Sequence, residues 1–295
     1  DVDIKTKMIT PKILQNLLNN HKDIKALIIV HFAGKSAFMN NVGNQKGINE
    51  ICKKNKIQII EDCAHAFPSI YNDSSLPIGN SGNLCCFSFY ANKTITTGEG
   101  GMVTTNNNKL ANKIKTLRQH GMSRNIWNRY TNKSNKWEYD IVELGYKYNL
   151  PDINSAIGLA QLKKSDVMRR KRQSVAKNYF KHLKNFKSLE IPEIDAKELK
   201  NNAWHIFSVT IKNKNLEFRN NLIKRLHKVG ISTSVHYKPL HLMSYYKKKI
   251  KLKKNKLTNS NYLWKTSLSL PIYDQLKEND TRYISNKLIR FIKNV

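Results

Sequence analysis

Residues 25–32, KALIIVHF, form a nearly continuous apolar run. Such a run suits a strand covered on both faces better than one with a wet face. Residues 45–54 follow with helical spacing of Ile48, Ile51 and Cys52, and residues 57–60 read as a second buried strand ending at Glu61-Asp62. Two more strands, residues 84–89 and 101–105, flank a glycine-bearing loop, and residues 108–120 read as a helix with Leu110, Ile114 and Leu117 on one face. Alternation of this kind predicts an α/β fold around an open, mostly parallel sheet, with ligands bound beyond the carboxyl ends of its strands.

Residues 151–162, PDINSAIGLAQL, predict a helix with Pro151 near its first turn and Ile153, Ala156, Ile157 and Ala160 along one stripe. A basic helix over 166–183 then leads into a smaller α+β domain. Its expected strands are 204–211 and 231–236, and its expected helices are 217–229, 259–267 and 280–292. The domain division is 1–163 and 164–295.

The formal net charge of +31 raises the question of nucleic acid or a membrane surface. Lysine is spread along the whole chain, with abundant Asn and Ile, and no nucleic-acid motif accompanies it. The densest basic run, 247–256, reads as a solvated loop. No apolar run approaches the roughly 20 residues that cross a bilayer. The opening DVDIKTKMITP lacks the apolar region of a signal peptide. Cys52, Cys63, Cys85 and Cys86 show no metal-ligand spacing, and buried, reduced thiols in a cytoplasmic protein are expected.

Chemistry concentrates at two strand ends. Lys93 lies among small and neutral neighbours, Ala91, Asn92, Thr94 and Ile95, whereas most other lysines sit among charges. An amine kept from solvent and other cations can act as a nucleophile toward carbonyls, although on position alone a solvated loop lysine is the better reading. Asp62 ends the second strand, where a carboxylate also serves as a helix cap. Together they suit a cofactor whose pyridine nitrogen one carboxylate keeps protonated while one lysine binds its carbonyl. Gly98, Gly100 and Gly101 read chiefly as a tight turn needing positive φ or close backbone approach. His205 and His236 end or follow apolar strands and suit either packing or substrate contact. His31 also lies near a strand end.

With these residues in place, the chain resembles the DegT-type sugar-nucleotide aminotransferases, pyridoxal-phosphate enzymes of fold type I. The resemblance rests on VHFAGKSAFMNNV, IIEDCAHAF, FSFYANKTITTGEGGMV, LRQHGMSR, ELGYKYNLPDINSAIGLAQL, NAWHIFSV, GISTSVHYKPLH and SLSLPIY, in family order over nearly the whole chain. It implies that Lys93 is the covalent anchor and general acid/base, and that Asp62 pairs with the pyridinium nitrogen. His65 would lie near the phenolic oxygen of pyridoxal 5'-phosphate. Ser88 would hold its phosphate, and Asn149 would reach the cofactor of a second subunit in a homodimer. Tyr90 stands where relatives often have His, and His205 and His236 would contact substrate.

The implied reaction moves an amino group from a donor, glutamate, to a nucleotide-linked keto sugar of the 4-keto-6-deoxy type, for amino-sugar and surface polysaccharide synthesis. Some relatives carry His at the lysine position and dehydrate sugars; Lys93 argues against that branch. Members of the family begin upstream of the segment matching Asp1, so part of the phosphate cradle is expected to lie outside this chain. The alternative is a catalytically impaired fragment or a non-catalytic relative acting as a dimerisation or regulatory partner.

Overall fold

The carboxyl end of one central strand organises the first half of the molecule. A computed structural model describes residues 1–122, 139–249 and 257–294. Strands β1 (Ala26–Val30), β2 (Gln58–Asp62), β3 (Leu84–Ser88) and β4 (Gly101–Thr104) form one sheet in that order. The first two pairings are parallel and the third antiparallel, so the sheet is mostly parallel, as expected. The register sets Val30 beside Asp62 and Asp62 beside Cys86. Asp62 therefore stands at the carboxyl edge of the sheet, where ligands bind in such folds.

Helix α1 (Pro11–Asn20) begins where Thr10 Oγ1 accepts the Ile13 amide and Pro11 occupies the first turn. Its Leu14 and Leu18 pack with Ile29 of β1 and with Ile48, Ile51 and Cys52 of α2 (Ile48–Lys54) in one buried cluster. Both helices cover the face of β1 that carries Ile29. On the opposite face Ile28 is 66% and Val30 40% exposed. Coverage of both faces, expected from the apolar run, does not hold among the described residues. Helix α3 (Asn108–Leu117) is capped by Asn107, which accepts the Leu110 amide.

Helix α4 (Asp152–Leu162) starts directly after Pro151. Its apolar side chains are not buried, and Ile153 is 78% and Leu159 63% exposed. Helix α5 (Ser165–Leu183) is amphipathic: Val175, Ala176, Tyr179 and Leu183 point into a second core. That core surrounds the antiparallel sheet of β5 (Leu189–Glu190), β6 (Phe207–Ile211) and β7 (Ser267–Leu270), in that order. β6 is buried along its whole length, between neighbours on both edges and helices that include α7 (Leu216–His227) and α10 (Glu278–Lys293).

The strand expected over 231–236 is replaced by a single bridge, Ser234 with Ser269. The strand that pairs with β6 is instead β7, which follows helix α9 (Thr258–Thr266). Two short helices complete this half, α6 (Ala196–Asn201) and α8 (Ser244–Lys249). Lys247–Lys249 are exposed on α8, and the rest of the basic run lies outside the described residues. No helix among the described residues is long and apolar enough to cross a membrane.

Hydrogen bonds tie the two cores together beside the sheet edge. Ser69 Oγ donates to the Gly34 carbonyl at 2.5 Å and accepts the Ala203 amide at 2.8 Å. The Ile70 amide donates to the Asn201 carbonyl at 2.9 Å. These bonds lay residues 201–206 along the loop that follows β1, which brings His205 to the site.

Candidate active site

Beyond Ser88 the chain folds into a closed loop around Lys93. The Phe89 amide donates to the Gly100 carbonyl at 2.8 Å, and the Phe89 carbonyl accepts the Thr97 amide at 3.0 Å. Within the loop the Lys93 amide donates to the Tyr90 carbonyl at 3.0 Å. Thr94, Ile95 and Thr97 are buried beneath it, while Lys93 itself is half-buried.

The glycines have backbone work to do here. Gly98 holds φ +80°, and a Cβ on Gly101 would stand 2.6 Å from the Phe87 carbonyl oxygen. Helix α4 braces the loop from outside: Asn154 Nδ2 donates to the Thr97 carbonyl at 2.6 Å. Gly158 keeps this side of α4 low, since an added Cβ would meet Thr97 Cγ2 at 3.0 Å.

Across from the lysine, Asp62 leaves β2 and its Oδ1 accepts the Ala64 amide at 3.0 Å, which orients the carboxylate. Burial lowers the pKa of the Lys93 ammonium, and the negative charge of Asp62 opposes that effect. The imidazole of His65 is buried, and its Nε2 is 3.1 Å from the Tyr237 hydroxyl. Burial first, then the charges of Lys93 and His236, push the His65 pKa down to about 3.

His205 lies against His65, and burial, with His65 and Lys93 next, pushes its pKa to about 2. His236 is lowered by burial and by Lys93, and its Nδ1 is 2.8 Å from Ser269 Oγ. Tyr237 is raised by burial and by Asp62. The imidazoles are therefore neutral near pH 7, around an amine that burial disposes toward its free-base form.

Of the residues singled out in the sequence, Asp62, His65, Lys93, His205 and His236 come together. Ser88 is half-buried at the end of β3, and its Oγ accepts the Tyr90 amide at 3.3 Å. Tyr90 is 47% exposed and holds Lys93 through its carbonyl rather than its ring. Asn149 is half-buried in the segment before α4. Ser123 and Arg124 of LRQHGMSR lie outside the described residues. Sequence reasoning missed Tyr237 and Asn154; each sits inside a quoted segment, beside a residue that was noted.

The donor set fits pyridoxal 5'-phosphate. A carboxylate at a strand end, a half-buried amine with a lowered pKa and a neutral imidazole face one another. Nδ1 of His65 is buried without a hydrogen-bond partner among the described residues. A cavity of about 140 Å³ adjoins this cluster, lined by His205, His236, Ser232, Thr233 and Ser234 among others. Among the described residues no lysine, arginine or carboxylate lines it.

Comparison with known proteins agrees with this geometry. The model of the DegT/DnrJ/EryC1/StrS aminotransferase family matches residues 1–289. The spore coat polysaccharide biosynthesis protein SpsC of Bacillus subtilis is 34% identical, over 95% of this chain and 69% of its own length. A UDP-4-amino-4,6-dideoxy-N-acetyl-beta-L-altrosamine transaminase of Campylobacter jejuni is 33% identical, over 96% of this chain and 70% of its own. The solved structure of Helicobacter pylori PseC, an aminotransferase of pseudoaminic acid biosynthesis, superposes with a TM-score of 0.86 at 26% identity. That superposition covers 99% of this chain and 72% of PseC. The chain thus belongs to the DegT/DnrJ/EryC1/StrS aminotransferase family.

Proposed function

We propose that this aminotransferase uses pyridoxal 5'-phosphate to move an amino group from glutamate to a nucleotide-linked 4-keto-6-deoxy sugar. The observation that carries the reading is the convergence of Lys93 on Asp62 at the sheet edge, with burial lowering the pKa of the amine. When bound, the cofactor supplies an electron sink for the carbon that loses its proton.

The chain's own residues supply the rest. Asp62 would keep the pyridine nitrogen protonated. Lys93 would anchor the cofactor, and its freed amine would hold and move the proton. Ser88 would hold the phosphate, and His65 would stand at the phenolic oxygen. Neutral His205 and His236 donate or accept hydrogen bonds without placing a charge beside the sugar. The uncharged, hydroxyl-lined cavity suits a sugar substituent better than a phosphate.

The name of the Campylobacter relative specifies a 4-amino-4,6-dideoxy sugar, which supports amination at carbon 4. Residues 1–163 are assigned to the cofactor-binding domain and 164–295 to the smaller one. The exposed apolar side chains of Leu144, Tyr148 and Ile153 support a homodimer in which Asn149 reaches the second site.

Borohydride reduction of the chain mixed with pyridoxal 5'-phosphate, followed by peptide mapping, tests the cofactor reading: the label is expected on Lys93. Label spread over surface lysines, with none enriched at Lys93, overturns it. Incubation of the loaded protein with glutamate and a UDP-4-keto-6-deoxy sugar then tests the substrates. One equivalent of 2-oxoglutarate per site from glutamate alone, with continued release only when the keto sugar is present, is the expected result.

A further inference from the structure

We propose that Glu61 and His31 are a positioning pair that fixes the orientation of Asp62, an inference that rests on Asp62 being the carboxylate that faces the cofactor nitrogen.

Adjacent residues of a strand point to opposite faces, so Glu61 turns away from the site as Asp62 turns toward it. Glu61 is fully buried, as is His31. Its Oε2 accepts from His31 Nε2 at 2.7 Å and from the Tyr71 hydroxyl at 2.5 Å. Its Oε1 accepts from Ser81 Oγ at 2.5 Å and from Asn83 Nδ2 at 2.7 Å. Burial alone raises the pKa of a carboxyl group. Here the hydrogen bonds from His31, Ser81 and Tyr71 oppose it and hold the Glu61 carboxyl below the usual carboxylate range.

The donors come from the loop after β1 (His31), the segment after β2 (Tyr71) and the turn before β3 (Ser81 and Asn83), and Asn83 Nδ2 also donates to Asn49 Oδ1 of α2 at 2.9 Å. His31 grips both acidic residues. Its ring donates to Glu61, while its backbone amide donates to the Asp62 carbonyl at 3.0 Å. Its Nδ1 accepts the Ala37 amide at 3.0 Å. The backbone of Asp62 is thus held at its carbonyl by His31, and the Ala64 amide fixes its carboxylate.

His31, Glu61 and Cys63 also lie close enough to suggest a metal. Both ring nitrogens of His31 and both carboxylate oxygens of Glu61 already have partners, however, so the cluster reads as a hydrogen-bonded clamp.

The experiment compares the full chain with Glu61→Gln, His31→Leu, His31→Gln and Tyr71→Phe. Hydrogen exchange at the Ala64 amide reports the Asp62 carboxylate without any cofactor. Titration with pyridoxal 5'-phosphate, followed by absorbance, reports the site itself, and urea unfolding reports the fold.

Glu61→Gln sets an amide NH2 among donors, and His31→Leu removes the grip. Both are expected to speed Ala64 exchange, relative to amides of β6, and to weaken cofactor binding, each by about tenfold, the value of one net hydrogen bond. His31→Gln restores a donor to Glu61 and should recover most of the loss. Tyr71→Phe keeps the charge and the His31 contact, and serves as a milder variant if Glu61→Gln fails to fold.

Wild-type exchange at Ala64 and wild-type cofactor affinity in Glu61→Gln and His31→Leu, with only the unfolding midpoint lowered, overturn the proposal. Failure of the wild-type chain to take up cofactor at Lys93 would count against the proposed function instead, and the exchange measurement still decides the positioning role.

Discussion

The rings of His65 and His205 lie 4.6 Å apart between centroids and are inclined by 43°. Both are neutral in the folded protein, because burial lowers their pKa to about 3 and about 2 from the usual 6.5. Protonating either would place a cation against its neighbour and within the field of Lys93. In the unfolded chain both titrate near 6.5. Between that value and about 3 the unfolded state therefore binds more protons than the native state. Stability is then complete above about pH 6.5 and falls as the pH is lowered, by up to about 1.4 kcal/mol per pH unit for each histidine. Urea unfolding from pH 7 to pH 4.5 should show this slope, and His205→Gln should flatten it. An unchanged slope in His205→Gln would show that other groups set the acid response.

Lys93→Met removes the amine that faces Asp62. Activity is expected to fall by at least about 10³-fold, within the range for a lost general acid/base. Burial lowers the pKa of this amine, so its charged form is disfavoured where it stands. The substitution should therefore leave unfolding free energy unchanged or slightly raised, within about 0.5 kcal/mol. Paired measurements of turnover and urea midpoint check this. A stability loss that parallels the activity loss would mean Lys93 serves the fold.

How much of this was legible from the residues depends on the range of the interaction. The strand ends carrying Asp62 and the lysine loop followed from local apolar runs, since strand period and turn chemistry act within a few residues. The Glu61 clamp did not, because His31, Tyr71 and Ser81 lie 30, 10 and 20 residues away in sequence. Tyr237 reaches His65 across 172 residues, and only tertiary packing could reveal that. Residues 231–236 have the β-branched character of a strand, yet pairing extends only to Ser234. The short run SLSL pairs fully with β6, and all four of its residues are buried. Local propensity ranked these two segments in the wrong order, and burial decided between them.

Asn154→Ala should loosen the lysine loop with little effect on the rest of the fold. The lost bond is the 2.6 Å contact from Nδ2 to the Thr97 carbonyl. One such bond contributes about 1 kcal/mol net, so the unfolding free energy should drop by about that amount. Cofactor retention should suffer more than the global fold, since Thr97 closes the loop that presents Lys93. Dilution-induced loss of pyridoxal 5'-phosphate, measured by absorbance, is the check. Retention equal to wild type would remove α4 from the site's support.

Arg172 links the segment that carries His205 to the chain just beyond β7, and its removal should be felt in both fold and titration. From α5 its Nη1 donates to the carbonyls of Trp204 at 3.2 Å and Ile272 at 2.9 Å. Arg172→Met leaves two carbonyls short of a donor, at about 1–3 kcal/mol for each that stays unpaired. Relief of a buried guanidinium offsets part of that loss, because burial already depresses the pKa of this group. The charge of Arg172 is also among the causes that lower the His205 pKa, after burial, His65 and Lys93. The variant's His205 should therefore titrate at a higher pH than in the parent, a shift that NMR of the imidazole resonances can follow. Packing damage alone, which only exposes the ring, would also move the value upward. Arg172→Lys separates the causes: it keeps the cation but loses the planar fork that serves both carbonyls. A destabilised Arg172→Lys whose His205 titrates as in the parent would assign the shift to charge, whereas an equal shift in both variants would assign it to lost packing.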